Sequence, residues 1–507
     1  MEEILTKWSC LTYNRTLVIK YMKTKHEISI LILLFFAAWV CQFFVYIPMS
    51  EDYLLAIWYQ DGLLAKIQEL YEKTGIRRSV GMVTNAPLCA GPLWLTNYVL
   101  IAMHFTVTLL IYAVCRMISR SGVVGLVVAL VVGLFPWGYG AVTYACGSYT
   151  MPSSILFLLG LLILLKHSTG TMRSEWTAII FSSVILLLCC ISGEHYVFAV
   201  ALTGLFALSA TDKGITFHGL LRPWVLAPGF VSAFYILLVY ATQSGDELMD
   251  SHWRETSLLE TFNPLTLGSV WFYQYRNLLF FETLFNWKAI SLSLMDMGFL
   301  RVAIGIAFAM SALVLLIIYR KKSFLPPTKD NKAWWNSPLS VILLIMLAIS
   351  FVHALAGGYS ASSRHQYAPV VILALFGASL LSKVRNIDKI LLTGRGALIW
   401  IFACIAILNT WVVVGINRIE LKRYDDLCNY IAAQKIQSPV DIELVPPLNY
   451  LWPNMSKTTS TVFDSEYSIN LNLQFKKENL IEIDPQSKYK ITVENAGEEN
   501  IITMSEK

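Results

Sequence analysis

Long apolar stretches recur along the chain at residues 28–48, 93–115, 122–137, 151–166, 176–192, 196–211, 223–242, 299–319, 338–356, 368–382 and 396–416. A helix needs about 20 apolar residues to cross the hydrocarbon of a bilayer, so the pattern predicts about eleven transmembrane helices. The first apolar stretch follows some 25 polar residues (an estimate of the segment's length) and is long enough to span, so it reads as a retained anchor rather than a cleaved signal.

Basic residues orient the predicted helices. The N-terminal segment carries Lys7, Arg15, Lys20, Lys23 and Lys25, and alternate connections carry Arg116 and Arg120, Lys166 and Arg173, Lys213 and Arg222, then Arg320–Lys322 and Lys383–Arg395. The intervening connections are poor in Lys and Arg; residues 357–367 hold only Arg364. The N-terminus is therefore expected in the cytoplasm, and an odd number of crossings puts residues 417–507 outside. Three regions follow: a cytoplasmic segment 1–27, a transmembrane domain 28–416, and an extracytoplasmic appendage 417–507.

Two outer loops are long, 49–92 and 243–298. The first holds an interface-helix candidate, in which Leu54, Ile57, Leu64, Ile67 and Tyr71 recur at helical spacing. The second concentrates aromatic residues such as Trp271, Tyr273, Phe280 and Trp287, which suit a membrane–water boundary or a groove for a long lipid. In the appendage a short helix is predicted at 420–436, with β-type runs at Asp441–Val445, Thr461–Tyr467, Ile469–Phe475 and Tyr489–Val493. The expected fold class is an all-α polytopic membrane protein with a small extracytoplasmic α+β appendage.

Composition agrees. Of 507 residues, 56% are hydrophobic and 14% charged, with a mean hydropathy of +0.57. Soluble domains carry about a quarter charged residues. The net charge of +5 reflects the basic connections and does not point to nucleic acid. Nine cysteines leave at least one unpaired. Cys89 and Cys146 fall on the outer side, where spacing alone cannot establish a disulfide. No Cys/His spacing suggests zinc. No phosphate-binding glycine loop, nucleophile elbow or zinc-protease motif is present, so ATP and nucleotide sugars have no evident cytoplasmic site.

Chemistry concentrates on the outer side in three clusters. Glu51 and Asp52 follow the first span; adjacent carboxylates near a low-dielectric surface repel, which favours a raised pKa and a general base. The plainer alternative is a charged helix end in water. Gly193-Glu194-His195-Tyr196 form a tight turn between two spans, expected to keep its side chains at the membrane surface. Ser363-Arg364-His365-Gln366-Tyr367-Ala368-Pro369 closes a short loop and opens the next span, with Pro369 suited to a first helical turn. An Arg beside a helix N-terminus suits a phosphate, although a snorkelling Arg reads the same way. Gln42, Asn97, His104, His353 and Asn409 either line a cavity or bond between helices.

The acidic pair after the first span, the amphipathic stretch behind it, and Arg364-His365-Gln366-Tyr367-Ala368-Pro369 at a late outer loop together resemble GT-C type membrane glycosyltransferases. Size, topology and the outer tail are most similar to bacterial O-antigen-modifying glucosyltransferases of the Gtr serotype-conversion type. The resemblance covers roughly residues 28–416, in architecture more than in identity. It implies a multi-pass enzyme of the bacterial inner membrane with a periplasmic active site. Such an enzyme moves a hexose, with glucose the expected sugar, from undecaprenyl phosphate to a lipid-linked glycan such as O-antigen, with inversion. The site residues are then Asp52 or Glu51 as base, Arg364, His365 and Tyr367 at the donor phosphate, and Glu194 and His195 orienting substrate. No cofactor is required; a divalent metal is not demanded, although carboxylates at this position can bind one. The expected partners are the polyprenyl-phosphate sugar, the acceptor glycan and membrane lipid, with a donor-lipid flippase and synthase acting alongside. Nothing resembles the WWD signature of oligosaccharyltransferases, which argues against asparagine as acceptor. The competing readings are a surface-polysaccharide polymerase and a lipid or polysaccharide transporter.

Overall fold

The structure, a computed structural model, describes residues 24–42, 93–135, 150–172, 174–242, 287–322, 337–355, 367–384, 396–436, 439–445, 466–495 and 500–506, with isolated positions 56, 57, 62, 68 and 391. It is mostly helical, with one small sheet. Among the described residues, five helices are long and apolar enough to cross a membrane: Leu95–Ser119, Thr150–Ser168, Glu175–Ser192, Pro223–Thr242 and Met297–Ile317. Shorter apolar helices lie at Gly122–Leu134, Pro338–Ser350, Tyr367–Leu381 and Trp400–Ile416.

The outward faces carry the same message. Trp176, Phe181, Phe230, Leu237 and Phe299 are all more than half exposed, with Phe299 at 90%. A water-soluble surface rarely carries so much contiguous apolar area, and lipid is the solvent that accepts it. The chain has the character of a multi-pass helical membrane protein.

Helix α1 (residues 24–42, ending in a 3-10 turn at Val40–Gln42) packs on α2 (Leu93–Ser119), and α3 (Gly122–Leu134) returns beside both. Ser121 caps α3 by accepting the Val124 N–H at 3.1 Å, and Phe135 ends it in extended backbone. Helices α4 (Thr150–Ser168) and α5 (Glu175–Ser192) run antiparallel, for the Cys189 thiol near the end of α5 meets the Ser153 carbonyl near the start of α4. A 3-10 turn, Glu194–Tyr196, follows α5.

The stretch expected as one span at 196–211 is broken in two, α6 (Val197–Ala201) and α7 (Thr203–Ser209), with the break at Leu202. Thr203 and Ser209 turn their hydroxyls onto carbonyls three residues back, which competes with regular helix bonding. After a short α8 (Phe217–Leu220) comes α9 (Pro223–Thr242), whose Ser232 donates to the Val197 carbonyl at 2.7 Å.

Helix α10 (Trp287–Lys322) departs from expectation. Residues 287–297 were expected within the loop 243–298, yet they are helical, joined to the spanning part through a kink at Gly298 (φ 71°). The cause is packing. Ile290, Ser293 and Met297 share one buried face, and Ser293 donates to the Val412 carbonyl at 3.1 Å. Only glycine adopts that φ cheaply, so Gly298 lets the chain redirect where an apolar pattern alone reads a stop.

Helices α11 (Pro338–Leu355) and α12 (Tyr367–Leu381) pack together, and α13 (Gly396–Gln434) closes the bundle against α10. The helix expected at 420–436 is thus the continuation of the last apolar helix. It enters a second core built from Leu427, Cys428, Ile431, Ile469, Leu473, Ile491 and Val493. There β1 (Val440–Val445) pairs parallel with β2 (Tyr489–Asn495), and β2 pairs antiparallel with β3 (Asn500–Glu506).

Residues 469–475, expected as a strand, instead belong to α14 (Glu466–Phe475). Ile-Asn-Leu-Asn-Leu alternates like a strand, but Ile469 and Leu473, four apart, are the buried pair, against α13. Tertiary packing has overridden the local pattern. The run expected at Thr461–Tyr467 lies mostly outside the described residues, and its last two positions open this helix.

Close helix contacts supply a test. A Cβ at Gly204 of α7 would overlap the Val225 carbonyl of α9, whereas one at Gly229 of α9 would meet nothing within 4 Å. Gly204→Ala is therefore expected to destabilise by about 1–3 kcal/mol through overpacking. Gly229→Ala is neutral or slightly stabilising, since alanine favours helix. Thermal unfolding of the two variants in detergent, side by side, checks this.

Candidate functional site

Antiparallel packing gives the bundle two polar ends. At one, Arg116 at the end of α2 meets the start of α1, and Arg120 pairs with Asp212. Lys166 and His167 close α4 at this end, and His167 meets Trp224 at the start of α9. This is the basic end. At the far end lie the end of α1, the start of α4, the 3-10 turn after α5 and the start of α12.

One stripe of α2 runs from the far end to the basic end, with Asn97, His104, Thr108 and Tyr112 buried along it. Gln42 at the end of α1 donates to Asn97 at 3.0 Å. His104 Nδ1 and the Tyr367 hydroxyl are 2.6 Å apart, joining α2 to the first residue of α12. The His104 ring sits among Phe35 (5.3 Å), Trp39 (5.0 Å) and Tyr367 (5.7 Å between centroids). Trp39 donates to the Gly133 carbonyl at 2.7 Å, tying α1 to the end of α3. Gln42, Asn97 and His104 thus bond between helices, which is how polar groups in hydrocarbon are satisfied.

The second array starts from the turn. Gly193, in extended backbone, ends α5, and α6 begins at Val197. The three residues between fold against α4, α11 and α6. His195 is buried, and Tyr196 is fully enclosed rather than held at a surface. Tyr196 stacks on Phe157 at 4.5 Å, its hydroxyl 2.7 Å from Ser154 Oγ, which in turn donates to the Thr150 carbonyl at 2.7 Å. Tyr196 is also within electrostatic reach of Tyr367. The 194–196 turn and α12 thus share two neighbours, α4 and α11.

Of the residues expected in the site, Glu51, Asp52, Arg364 and His365 lie outside the described residues, as do Cys89, Cys146, most of the interface-helix candidate and residues 243–286. Glu194 opens the 3-10 turn, and its side chain is outside the description, as is that of His353. Tyr367, expected at the donor phosphate, is 1% exposed with its hydroxyl on His104, so in this arrangement it anchors α12.

Two features were not legible in the sequence. One is His104–Tyr367, whose partners stand 263 positions apart. The other is Glu27, expected in a cytoplasmic segment but only 3% exposed. Tyr112 donates to its carboxylate, Arg116 lies 3.6 Å from it, and Arg116 also donates to Tyr112 at 2.8 Å and Thr24 at 2.9 Å. Gly122 leaves the room the carboxylate occupies, at the start of α3, where the helix dipole favours negative charge. A Tyr and an Arg four apart at the end of one predicted span were the available hint.

Other chemistry is sparse. Among the described residues no group of three His, Cys, Asp or Glu side chains could hold a metal ion. A crevice near the basic end, lined by Ile30, Leu34, Leu126, Leu130, Ala312 and Ala403, is apolar and holds none of the candidate residues. In the appendage, burial pushes the Cys428 thiol up to about 12, so it stays protonated and unreactive at neutral pH.

Comparison with known proteins adds no name. No family model, no curated protein and no solved structure matches the chain. The reading of the site rests on its residues.

The Glu27 cluster predicts a measurable cost. Arg116→Ala leaves a buried carboxylate without its cation, which is expected to destabilise by about 3 kcal/mol. Glu27→Gln, which keeps a hydrogen-bond acceptor and removes the charge, is expected to cost less. Unfolding midpoints in detergent decide; equal losses for the two variants would show that charge pairing is not the stabilising feature.

Proposed function

We propose that the chain is a GT-C type membrane glycosyltransferase of the bacterial inner membrane, with about eleven transmembrane helices, its N-terminus in the cytoplasm and its site on the periplasmic face. It moves a hexose, with glucose the favoured sugar, from undecaprenyl phosphate to a lipid-linked glycan such as O-antigen. One observation carries this reading: the turn at 194–196 and helix α12 pack against the same two helices, α4 and α11. Arg364 and His365 stand three and two residues before α12 begins. Gln42 ends α1 at the same far end, nine residues before Glu51 in the chain. A base, a phosphate-binding cation and a substrate-orienting turn therefore issue from elements that meet at one end.

In the proposed reaction the acceptor hydroxyl oxygen attacks the anomeric carbon as the bond from that carbon to the phosphate oxygen breaks. Asp52, or Glu51, receives the hydroxyl proton. The bonding pair leaves with the polyprenyl phosphate, whose charge Arg364 and His365 neutralise. Phosphate departs without protonation, so one carboxylate and a cation suffice. Glu194 and His195 orient the substrates. Tyr367, its hydroxyl committed to His104, holds the start of α12.

Asp52→Asn and Arg364→Ala, in protein that still inserts, are each expected to lower transfer from glucosyl undecaprenyl phosphate by about a hundredfold or more. Near-normal transfer by both would sink the site assignment. Mass spectrometry of the host's surface glycan with and without the gene supplies the complementary result, a hexose difference.

A further inference from the structure

We infer that His104, in the middle of α2, is a positioning residue for this transfer, acting through Tyr367 on the segment that bears Arg364 and His365; the inference rests on the proposed glycosyl transfer. Tyr367 is the first residue of α12, with Pro369 in the same turn. The opening turn of a helix has no intrahelical partners for its N–H groups, so where the helix starts depends on side-chain anchors. Three residues of chain reach at most about 10 Å, so fixing Tyr367 confines Arg364 to a short radius around it.

The anchor is well defined. The His104 ring is enclosed by Phe35, Trp39 and Tyr367, with no room to turn away from the hydroxyl it meets at 2.6 Å. The imidazole also interacts with the Gly133 carbonyl that Trp39 engages. Which partner of the His104–Tyr367 pair donates follows the imidazole tautomer; with either, α12 is held by a buried ring of α2 packed against Phe35 and Trp39 of α1.

The same stripe of α2 reaches the other clusters. Asn97, seven residues before His104 and so about 10 Å along the axis, holds Gln42 at the end of α1. Tyr367 is within electrostatic reach of Tyr196, the neighbour of His195. Helix α2 also supplies an internal control: Tyr112, near its other end, is a second buried tyrosine hydroxyl that ties α2 to a neighbour, here Glu27 at the basic end.

The test uses the full-length protein in detergent or liposomes, with glucosyl undecaprenyl phosphate as donor and the host's lipid-linked glycan as acceptor. Tyr367→Phe removes one oxygen and is expected to lower kcat about tenfold or more, as small misplacements of reacting groups do. His104→Phe is expected to match it, and the double variant to be no worse than either single, because both remove the same bond. His104→Gln, whose side-chain amide can pair with the Tyr367 hydroxyl as acceptor or donor, recovers part of the lost rate. Tyr112→Phe is expected to lower thermal stability comparably while leaving kcat unchanged. The inference is overturned if Tyr367→Phe keeps the wild-type kcat, or if Tyr112→Phe and Tyr367→Phe lose activity alike. If those results arise while Asp52→Asn and Arg364→Ala are inactive, the inference alone fails and the glycosyl-transfer site stands. If Asp52→Asn and Arg364→Ala transfer normally, that site fails, and the inference with it.

Discussion

A polar group inside hydrocarbon has nothing to bond with except its own protein. That constraint orders this bundle. Along α2 the chain places Asn97, His104, Thr108 and Tyr112 on one buried stripe, and three of the four find a partner in a neighbouring element. Asn97 takes the end of α1, His104 takes the start of α12, and Tyr112 takes Glu27 at the start of α1. Thr108 closes onto the His104 carbonyl one turn back. The surrounding apolar contacts are interchangeable in kind, because Leu against Leu and Leu against lipid differ little. The hydrogen bonds are not interchangeable, and they fix which helix lies beside α2 and at what height.

Indole and hydroxyl donors extend the same logic outward. Trp411 of α13 donates to the Ala37 carbonyl of α1 at 2.8 Å, and Thr410 beside it donates to the Leu134 carbonyl at the end of α3. Gly305 of α10 lies against the Trp411 ring, where any larger residue would push it off that carbonyl. Helices far apart in sequence are thus brought together by donors reaching exposed carbonyls. The two ends of the bundle then acquire distinct characters. The basic end is pinned by the ion pairs Glu27–Arg116 and Arg120–Asp212. At the far end the contacts among the described residues are neutral hydrogen bonds, Gln42–Asn97, His104–Tyr367 and Ser154–Tyr196.

Much of this was legible in the sequence because a membrane span is a long, one-bit signal. Residues 93–115, 151–166, 176–192 and 223–242 were read as spans, and α2, α4, α5 and α9 cover them. What escaped were features set by contacts between distant residues. Residues 287–297 carry no continuous apolar run, and their helix exists because Ser293 and Gly415 meet on α10 and α13. The break at Leu202 sits inside an apolar stretch that reads as uninterrupted. Alternation at 469–475 mimics a strand because asparagines fall between apolar residues, of which Ile469 and Leu473 are buried. Glu27 looked solvated because it stands beside Lys25 and His26; only the position of Arg116 and Gly122 in space shows the carboxylate enclosed. For the candidate site, sequence nominated Tyr367 and the 194–196 turn, and the structure buries Tyr367, His195 and Tyr196. It could not show that Tyr367 is turned inward, since its partner is a histidine on another helix.

The link between bundle and appendage is a single helix. Helix α13 passes without interruption from the bundle core, through Trp400, Ala406 and Trp411, into the second core at Tyr424, Leu427 and Ile431. Its 39 residues would extend about 58 Å at 1.5 Å per residue. Sharp helix bends arise at proline, at glycine or serine pairs, or at inserted residues, and residues 416–434 contain neither proline nor glycine. Arg418 and Arg423 are buried just beyond the apolar part, and Lys476 of the appendage is 2.8 Å from Asp425 on the helix. The strand β2 and helix α14 complete the same core, so the appendage moves only if this helix bends or its core opens.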